Sequence, residues 1–334
     1  MRAIITGVGH YVPDNILTNQ DLEKMVDTND EWIISRTGIK ERRILDKDKG
    51  TSYIAVKAAE SVLEQTNTAA DELDLIIVAT STPDMLVPST AAIVQNELNA
   101  TNCWGFDINA ACCGFIYALA TASQFVETGK HNKIMVIGVD KMSAIINYED
   151  RDTCLIFGDG GGAVLLEPSN TDEPDEDKLG VEDYIFHLEG SGAKFLNMPA
   201  GGSLFPTSHE TVEKKMHYVF QDGKRIFKYA VTEMSDVSIK IMEKNRLTGK
   251  DIKLLIPHQA NLRIINAVAK KMGLTHDQVM INIEKYGNTT AGTIPIAMSE
   301  AYQKNMMSKG DWIIISSFGA GFTSGSVLLK WALD

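Results

Sequence analysis

The sequence predicts an α/β fold of stacked sheets and helices, and two observations lead to this prediction. Apolar strand-like runs alternate with helical patterns along the chain, as they do in layered α/β proteins. Segments with the same order of features also recur in the first and second parts of the chain, which indicates duplicated halves. With 334 residues, the chain can bury a large core in one domain or in two fused halves.

Two pairs of segments make up this recurrence. Residues 58–77 and 237–256 have equal length, and each is typical of an amphipathic helix, a polar turn and an apolar strand. Residues 157–167 and 318–330 each lead from a Gly-rich bend into an apolar strand. Either match alone is compatible with chance, because helix–strand units are common. Two matches in the same order favour a duplication.

The predicted halves cover residues 1–170 and 171–334, and the boundary falls in the acidic, Pro-containing segment 167–180. Such a segment is typical of an exposed connector. Similar halves packed face to face bring corresponding strand ends around one central cleft. We therefore expect functional side chains from both halves to meet there.

Composition and charge argue against several classes of protein. The chain is 44% hydrophobic and 23% charged, as ordinary globular proteins are. No apolar run approaches the ~20 residues that span a bilayer. Residues 1–14 are typical of a first strand and turn rather than a signal peptide, so we predict a cytoplasmic protein. The net charge of −12 argues against general nucleic-acid binding.

The cysteines and glycines predict neither a metal site nor a bound cofactor. The four cysteines are Cys103, Cys112, Cys113 and Cys154. They form no CxxC pair and have no His at ligand spacing, which argues against zinc, and we expect free thiols. The Gly runs at 158–162 and 319–321 do not match a phosphate-cradling pattern after a first strand.

Cys112 is the first candidate functional residue. Residues 103–129 are typical of a strand, a small-residue turn and a helix with regular apolar spacing from Phe115 onward. A thiol at this elbow lies beside unpaired backbone N–H groups and the positive end of the helix dipole. We therefore expect a lowered pKa and a reactive thiolate. The alternative is that two adjacent small thiols simply fit a tight helix contact.

His258 and Asn288 occupy comparable positions in the second half. His258 lies in a Pro-containing turn at the carboxyl end of an apolar strand, the usual place for function in open α/β sheets. Asn288 lies in a small-residue turn that leads into a helix, where its amide can donate a hydrogen bond. A structural histidine and an ordinary Gly-Asn turn are the alternatives. Jointly, the thiol, imidazole and amide predict thiol-based acyl chemistry.

At these motifs the chain resembles the β-ketoacyl-acyl carrier protein synthase III family of the thiolase-like superfamily. The resemblance extends from ITGVG near the N-terminus to the final GSVLLKW. It includes AACCGF, IPHQAN and YGNTTAGTIP, and also the segments 27–43, 151–164 and 318–325. It implies a thiolase-like, five-layered αβαβα fold with two pseudo-symmetric halves. It also implies a Cys-His-Asn catalytic set, whereas elongating synthases use Cys-His-His.

The resemblance further implies roles for individual residues. Cys112, His258 and Asn288 are implied as catalytic, with the backbone N–H groups of Cys112 and Ala320 as the oxyanion hole. The implied coenzyme A site comprises Thr28, Trp32, Arg36, Arg151, Phe227 and Asn261. The implied acyl pocket includes Val87 and Phe318. The implied docking patch for an acidic carrier protein comprises Lys228, Arg263, Lys270 and Lys271, although a basic helix surface is often only a solvated face.

The implied reaction joins a short acyl-CoA to malonyl-acyl carrier protein with loss of CO2, through an acyl-Cys112 intermediate. It initiates fatty acid synthesis, uses no metal or flavin, and takes place in a homodimer. Two residues depart from the common family pattern: Ser324 stands where Trp is frequent, and Val87 where some members have Phe. A smaller residue at 87 leaves space for branched or longer primers. A condensing enzyme of secondary metabolism and a non-catalytic acyl-binding scaffold are the alternatives.

Overall fold

The structure, a computed structural model, describes residues 1–169 and 178–334. The predicted boundary between the halves, at 170 and 171, lies outside the described residues. So does most of the predicted connector at 167–180. Both therefore stay predictions.

The strands are β1 (Ala3–Tyr11), β2 (Ile16–Thr18), β3 (Glu41–Arg43), β4 (Leu75–Ala79), β5 (Trp104–Ile108), β6 (Ile134–Lys141), β7 (Asp159–Pro168), β8 (Gly180–Leu188), β9 (Leu196–Asn197), β10 (Phe220–Gln221), β11 (Ile252–Pro257), β12 (Trp312–Gly319) and β13 (Thr323–Lys330). The helices are α1 (Asn19–Glu23), α2 (Asp30–Thr37), α3 (Thr51–Thr66), α4 (Thr90–Glu97), α5 (Gly114–Glu127), α6 (Arg151–Cys154), α7 (His209–Glu213), α8 (Gly223–Lys244), α9 (Leu262–Met272), α10 (Ile283–Tyr286) and α11 (Thr293–Gln303).

Two large sheets share one pattern of strand order and direction. Among the described residues, the first sheet has the order β1-β7-β6-β4-β5 and the second the order β11-β12-β13-β8. In the first sheet β4 is parallel to β6, and antiparallel pairs join β6 to β7 and β7 to β1. In the second sheet β11 is parallel to β12, and antiparallel pairs join β12 to β13 and β13 to β8. This correspondence agrees with the recurring segments of the sequence.

Helices cover both faces of each sheet and produce five layers. Helices α5 and α11 contact both sheets and form the middle layer. Helices α3 and α4 cover the outer face of the first sheet, and α8 and α9 cover that of the second. Along β4, Leu75 and Ile77 face the middle layer, whereas Ile76 and Val78 face α3 and α4. Such apolar residues on both faces are typical of buried parallel strands. The predicted α/β fold with five layers is confirmed.

Helix α9 illustrates how the sequence fixes a helix and its orientation. Asn261 caps its start by accepting a hydrogen bond from the backbone N–H of Arg263, and Gly273 ends it with a φ of 72°. Ile265, Val268 and Met272 are buried against the second sheet, as their spacing predicts. None of the described helices has the length and apolar character that crossing a membrane requires.

Candidate active site

Cys112 lies where the edge strand of the first sheet gives way to the middle layer. After β5 the chain makes a short 3₁₀ turn, Ala111–Cys113, and continues directly into α5. Ala111 adopts a φ of 47°, an uncommon conformation that turns the chain sharply before the thiol. The position at a strand-to-helix elbow therefore matches the prediction.

The second sheet holds this elbow from the other side. The Ser317 hydroxyl donates a hydrogen bond of 2.7 Å to the carbonyl oxygen of Cys112. Gly319 approaches so closely that a Cβ there would lie 2.9 Å from the Cβ and the backbone nitrogen of Cys112. Ser317 and Gly319, which lie 205 and 207 positions further along the chain, thus hold the Cys112 thiol in place. The position of the thiol therefore depends on how the two sheets pack together.

The expectation of a lowered thiol pKa is wrong for this structure. Burial raises the pKa of the Cys112 thiol well above the ordinary value, and the nearby Cys113 and Asp140 raise it further. Cys112 is only 7% exposed, so water stabilises the thiolate poorly. The thiol is therefore mainly protonated at neutral pH, and it must lose its proton as it attacks.

His258 lies at the carboxyl end of β11, and its neighbour Gln259 holds the turn. The Gln259 amide donates to the carbonyl oxygens of Pro257 and Met280 and accepts a hydrogen bond from the backbone N–H of Asn282. The His258 ring is almost fully buried, and its Nδ1 lies 2.6 Å from the hydroxyl of Thr293. Burial lowers the pKa of His258 to about 3, so the imidazole is neutral at physiological pH.

Asn288 lies in the turn between α10 and α11. Its backbone pairs with the segment before β7, where Gly158 N–H donates to the Asn288 carbonyl and Asn288 N–H donates to the Ile156 carbonyl. The side-chain Oδ1 accepts a hydrogen bond of 2.9 Å from the backbone N–H of Thr290. Because Oδ1 is occupied in this way, the Nδ2 group of Asn288 is the part of the amide that can donate to a ligand.

One cavity of about 440 Å³ brings these three segments together. Its wall includes Cys112, His258 and Asn288, which come from three separate segments of the chain. Four more residues of the predicted site also line it: Phe227, Asn261, Phe318 and Ala320. The remaining lining is largely apolar, with side chains such as Met142, Phe157 and Met234. Such a cavity accepts a narrow, mostly apolar substrate beside a thiol and two polar side chains.

Three residues of the predicted coenzyme A site, Trp32, Arg36 and Arg151, lie together on the outer surface. The Arg151 guanidinium lies over the Trp32 ring at 4.5 Å from its centroid, and the Arg36 guanidinium lies at 5.9 Å. All three side chains are exposed. Nearby in sequence, the buried Thr28 hydroxyl has no hydrogen-bond partner among the described residues. The Asn261 amide, by contrast, is already engaged, since it caps α9 and donates to the Arg36 carbonyl.

The predicted basic residues are exposed on α8 and α9. Lys270 and Lys271 form the last turn of α9, and Lys228 lies on α8. Arg263, on the first turn of α9, places its guanidinium 5.0 Å from the centroid of the Phe227 ring. Since Phe227 lines the cavity, the basic residues begin at the cavity wall and extend away from it.

Val87 and Ser324 occupy different environments. Val87 is 84% exposed on the loop before α4 and does not line the cavity of its own chain. Ser324 is buried in β13, and its hydroxyl has no hydrogen-bond partner among the described residues.

The comparisons with known proteins agree along the chain. Residues 106–182 match the sequence model of 3-oxoacyl-[acyl-carrier-protein (ACP)] synthase III, and residues 242–331 match that of its C-terminal part. The curated Beta-ketoacyl-[acyl-carrier-protein] synthase III of Chlorobaculum tepidum is 53% identical over 99% of this chain and 100% of its own length. This chain belongs to the 3-oxoacyl-[acyl-carrier-protein] synthase III family. The predicted family is thereby confirmed.

Solved structures of synthase III proteins support the same fold. The 3-oxoacyl-[acyl-carrier-protein] synthase III from Aquifex aeolicus VF5 superposes with a TM-score of 0.88 at 43% identity, covering 98% of this chain and 100% of that one. The priming beta-ketosynthase from the R1128 polyketide biosynthetic pathway superposes with a TM-score of 0.90 at 30% identity, covering 99% and 96%.

One buried side chain that supports this site, Asp140, had only a weak signal in the sequence. Asp140, at the end of β6, is fully buried and accepts hydrogen bonds from Thr80, from Thr82 and from the backbone N–H of Ala291 in the Asn288 turn. Burial raises the pKa of Asp140 to about 6. Its position at a strand end could have indicated a role, but its partners lie about 60 and 150 positions away.

No metal centre emerges from the residues that the structure describes. Among residues 1–169 and 178–334, no group of three His, Cys, Asp or Glu side chains is arranged to hold a metal ion. The expectation that the enzyme uses no cofactor stays a prediction.

Proposed function

We propose that this synthase III condenses a short acyl-CoA with malonyl-acyl carrier protein, giving β-ketoacyl-acyl carrier protein, CoA and CO2. The observation that carries the proposal is the single cavity in which a thiol, a neutral imidazole and an amide from three segments converge. The reaction initiates fatty acid synthesis. Coenzyme A thioester is a substrate in it, not a bound cofactor.

In the first step, the sulfur of Cys112 attacks the acyl-CoA carbonyl while its proton passes to the departing CoA sulfur, leaving an acyl-enzyme and CoA thiol. Backbone N–H groups of Cys112 and Ala320 stabilise the developing oxyanion. Ala320 lines the cavity beside Gly319, which contacts Cys112, and this proximity supports the assignment. Each such donor is worth on the order of 3 kcal/mol.

In the second step, malonyl-carrier protein loses CO2, and the resulting carbanion attacks the acyl group on Cys112. Neutral N–H groups of His258 and Asn288 hydrogen-bond the thioester oxygen and stabilise the enolate. The Cys112 thiolate that leaves takes up a proton from solvent and restores the thiol. Decarboxylation generates the carbanion, so a neutral imidazole suffices and no strong base is needed.

Coenzyme A enters from the side of α2 and α6 in this proposal. Its adenine inserts between the Trp32 ring and the Arg151 guanidinium, which can both stack on a planar base. Arg36 and the Thr28 hydroxyl, which has no hydrogen-bond partner among the described residues, hold polar parts of the nucleotide. Phe227 and Asn261 then line the path of the pantetheine arm to Cys112.

The carrier protein docks on Lys228, Arg263, Lys270 and Lys271. Their exposure, and the contact of Arg263 with the cavity-lining Phe227, support this assignment. Alanine replacement of Lys270 and Lys271 together is expected to raise KM for malonyl-carrier protein about 10-fold at low salt, since rim charges act mainly on association. KM for acyl-CoA stays unchanged. Alanine at the exposed Lys250 and Lys253 is the matched control, and equal effects of both double variants would contradict docking.

A homodimer and a cytoplasmic location complete the proposal. Among residues 1–169 and 178–334, strand β5 has a neighbouring strand on one side only, and its exposed Trp104 packs with Phe106 and Phe125 at that edge. Such an edge is suited to pairing with a second copy. The exposed Val87 then reaches the partner's acyl pocket, next to Phe318. Free thiols such as Cys112 persist in a reducing compartment, which supports the cytoplasm.

The central experiment traces the acyl group. After a pulse of radiolabelled acyl-CoA, mass mapping is expected to find the adduct on Cys112, and malonyl-carrier protein is expected to chase it into product. The Cys113→Ala protein, which loses the neighbouring buried thiol, serves as control and is expected to be labelled normally. An adduct on Cys113, or label that malonyl-carrier protein cannot chase, would disprove the proposal.

A condensing role in secondary metabolism is the second candidate. The similarity to a priming ketosynthase from a polyketide pathway favours it. A panel of acyl-CoA primers assayed with malonyl-carrier protein separates the two roles, because primary synthesis requires high activity with acetyl or short branched primers. Val87→Phe is expected to lower activity with branched and longer primers more than with acetyl-CoA. Uniform effects on all primers would exclude Val87 from the pocket.

A further inference from the structure

Thr293, at the first position of α11, contacts His258 directly. Its side chain is buried, with 2% of its surface exposed, and its Oγ1 lies 2.6 Å from Nδ1 of the imidazole. The opposite ring nitrogen, Nε2, makes no hydrogen bond to any of the described residues, and the ring lines the cavity. The hydroxyl of Thr293 is thus the polar group that meets the protein-facing side of the ring.

The single hydrogen of the Thr293 hydroxyl has two possible acceptors. Nδ1 of His258 is 2.6 Å away, and the carbonyl oxygen of Thr290 is 3.1 Å away. If the hydroxyl donated to Thr290 instead, Oγ1 would accept from an Nδ1–H and the other tautomer would result. The 2.6 Å distance is shorter than the about 2.7–3.2 Å of N–H···O bonds and lies within the about 2.5–3.0 Å of hydroxyl donors, which favours donation from Thr293 to Nδ1. A neutral imidazole carries one N–H, and when Nδ1 accepts, that hydrogen is on Nε2.

We propose that Thr293 is a positioning residue, which fixes His258 in the tautomer that directs an Nε2–H into the cavity. The inference rests on the proposed function, in which this N–H donates to the thioester oxygen of malonyl-carrier protein. The other tautomer presents a lone pair to that oxygen and repels it.

The same turn also orients the second donor. The backbone N–H of Thr290 holds Oδ1 of Asn288, which leaves Nδ2 to face the ligand. Thr290 and Thr293, from one short segment, therefore determine that His258 and Asn288 both present hydrogen-bond donors to the cavity. The result is a pair of donors without an acceptor, as an enolate oxygen requires.

Nitrogen-15 spectra of histidine-labelled protein test the tautomer without relying on activity. Protonated and bare ring nitrogens have widely separated shifts, and the His258 signals are identified by their loss in His258→Gln. We expect a protonated Nε2 and a bare Nδ1 in the wild type. Thr293→Val, which keeps the shape but removes the hydroxyl, is expected to shift the Nδ1 signal and to reveal the second tautomer. Thr293→Ser restores the wild-type spectrum.

Kinetics give the second readout. For decarboxylation of malonyl-carrier protein, Thr293→Val is expected to lower kcat by about 10- to 100-fold. This is less than the loss of about 10²–10³ for removal of one donor, because the variant keeps the imidazole. KM stays within about twofold, and Thr293→Ser stays within about threefold of the wild type. The matched control is Ser299→Ala on the same helix. It removes a 2.8 Å hydroxyl contact to the Nδ1 of another histidine, His10, outside the cavity, and leaves the His258 signals unchanged.

The outcomes separate the two proposals. A protonated Nδ1 in the wild type, or a Thr293→Val protein with unchanged spectrum and rate, overturns the role of Thr293 alone. If His258→Gln itself decarboxylates at the wild-type rate, the role of His258 in the proposed function fails instead, whatever the tautomer.

Discussion

Replacing Gly319 by alanine tests whether the second sheet positions the nucleophile. A Cβ at residue 319 would lie 2.9 Å from both the Cβ and the backbone nitrogen of Cys112, and 3.3 Å from its Cα. Unstrained carbon contacts lie at about 3.5–4.0 Å, so one side must move by about 0.5 Å. Both are backbone segments in the core, and neither can swing away as a flexible side chain does.

The displacement predicts a loss of acylation rate. A misplacement of about 1 Å can cost about 100-fold, so half that distance is expected to slow acylation of Cys112 about 10-fold. Overpacking is also expected to lower the free energy of unfolding by about 1–3 kcal/mol. Single-turnover mixing with acyl-CoA, followed by acid quench and mass measurement of the acyl-enzyme, gives the rate.

Gly190 provides the matched control for Gly319→Ala. A Cβ at Gly190 meets nothing within 4 Å, so Gly190→Ala is expected to acylate at the wild-type rate. Circular dichroism and thermal melting establish that both variants are folded. A folded Gly319→Ala protein that acylates as fast as the wild type would refute the idea that this close contact sets the position of the thiol.

Three further predictions concern the same site. Because burial raises the pKa of the Cys112 thiol, its rate of alkylation by iodoacetamide is expected to keep rising beyond about pH 9.5, one unit above the ordinary thiol pKa of about 8.5, where alkylation of an ordinary thiol levels off. A plateau at or below that pH contradicts this. Arg151→Ala removes about 1–2 kcal/mol of stacking and ion pairing with coenzyme A, so it is expected to raise KM for acyl-CoA about 5- to 30-fold. KM for malonyl-carrier protein is expected to stay unchanged. An equal rise for both substrates would remove Arg151 from the adenine site. Ser317→Ala leaves the buried carbonyl of Cys112 unpaired, so it is expected to lower the free energy of unfolding by about 1–3 kcal/mol, measured by urea titration. An unchanged urea midpoint would show that this hydrogen bond is not needed for stability.

The elements that carry the site could be predicted because their signals are local. Apolar runs that end in small-residue turns place Cys112, His258 and Asn288 at strand ends, and the structure has all three in one cavity. The layered fold follows from the same runs, since Leu75 to Ala79 are apolar at every position and hence buried on both faces.

The electrostatics of the site could not be predicted, because they depend on distant residues. The elbow alone favours a thiolate at Cys112, but burial and the nearby Cys113 and Asp140 raise the pKa of the thiol. Ser317 contacts Cys112, and Asp140 contacts Ala291. The residues of each pair lie more than 150 positions apart in sequence, and only the packing of the fold brings them together. A serine in a strand and an aspartate at the end of one have no local pattern that reveals such partners.

The length of helix α9 determines how far the arm of a protein docked at its last turn must reach to bring a thioester to Cys112. Its cap, Asn261, lines the cavity, and Lys271 lies ten residues further, about 15 Å along a rigid axis. A protein seated on the far turn of this helix can deliver its cargo only on an extended, slender arm that covers this span. In the proposed docking mode, a carrier protein whose arm is shorter than this span would leave its thioester outside the cavity.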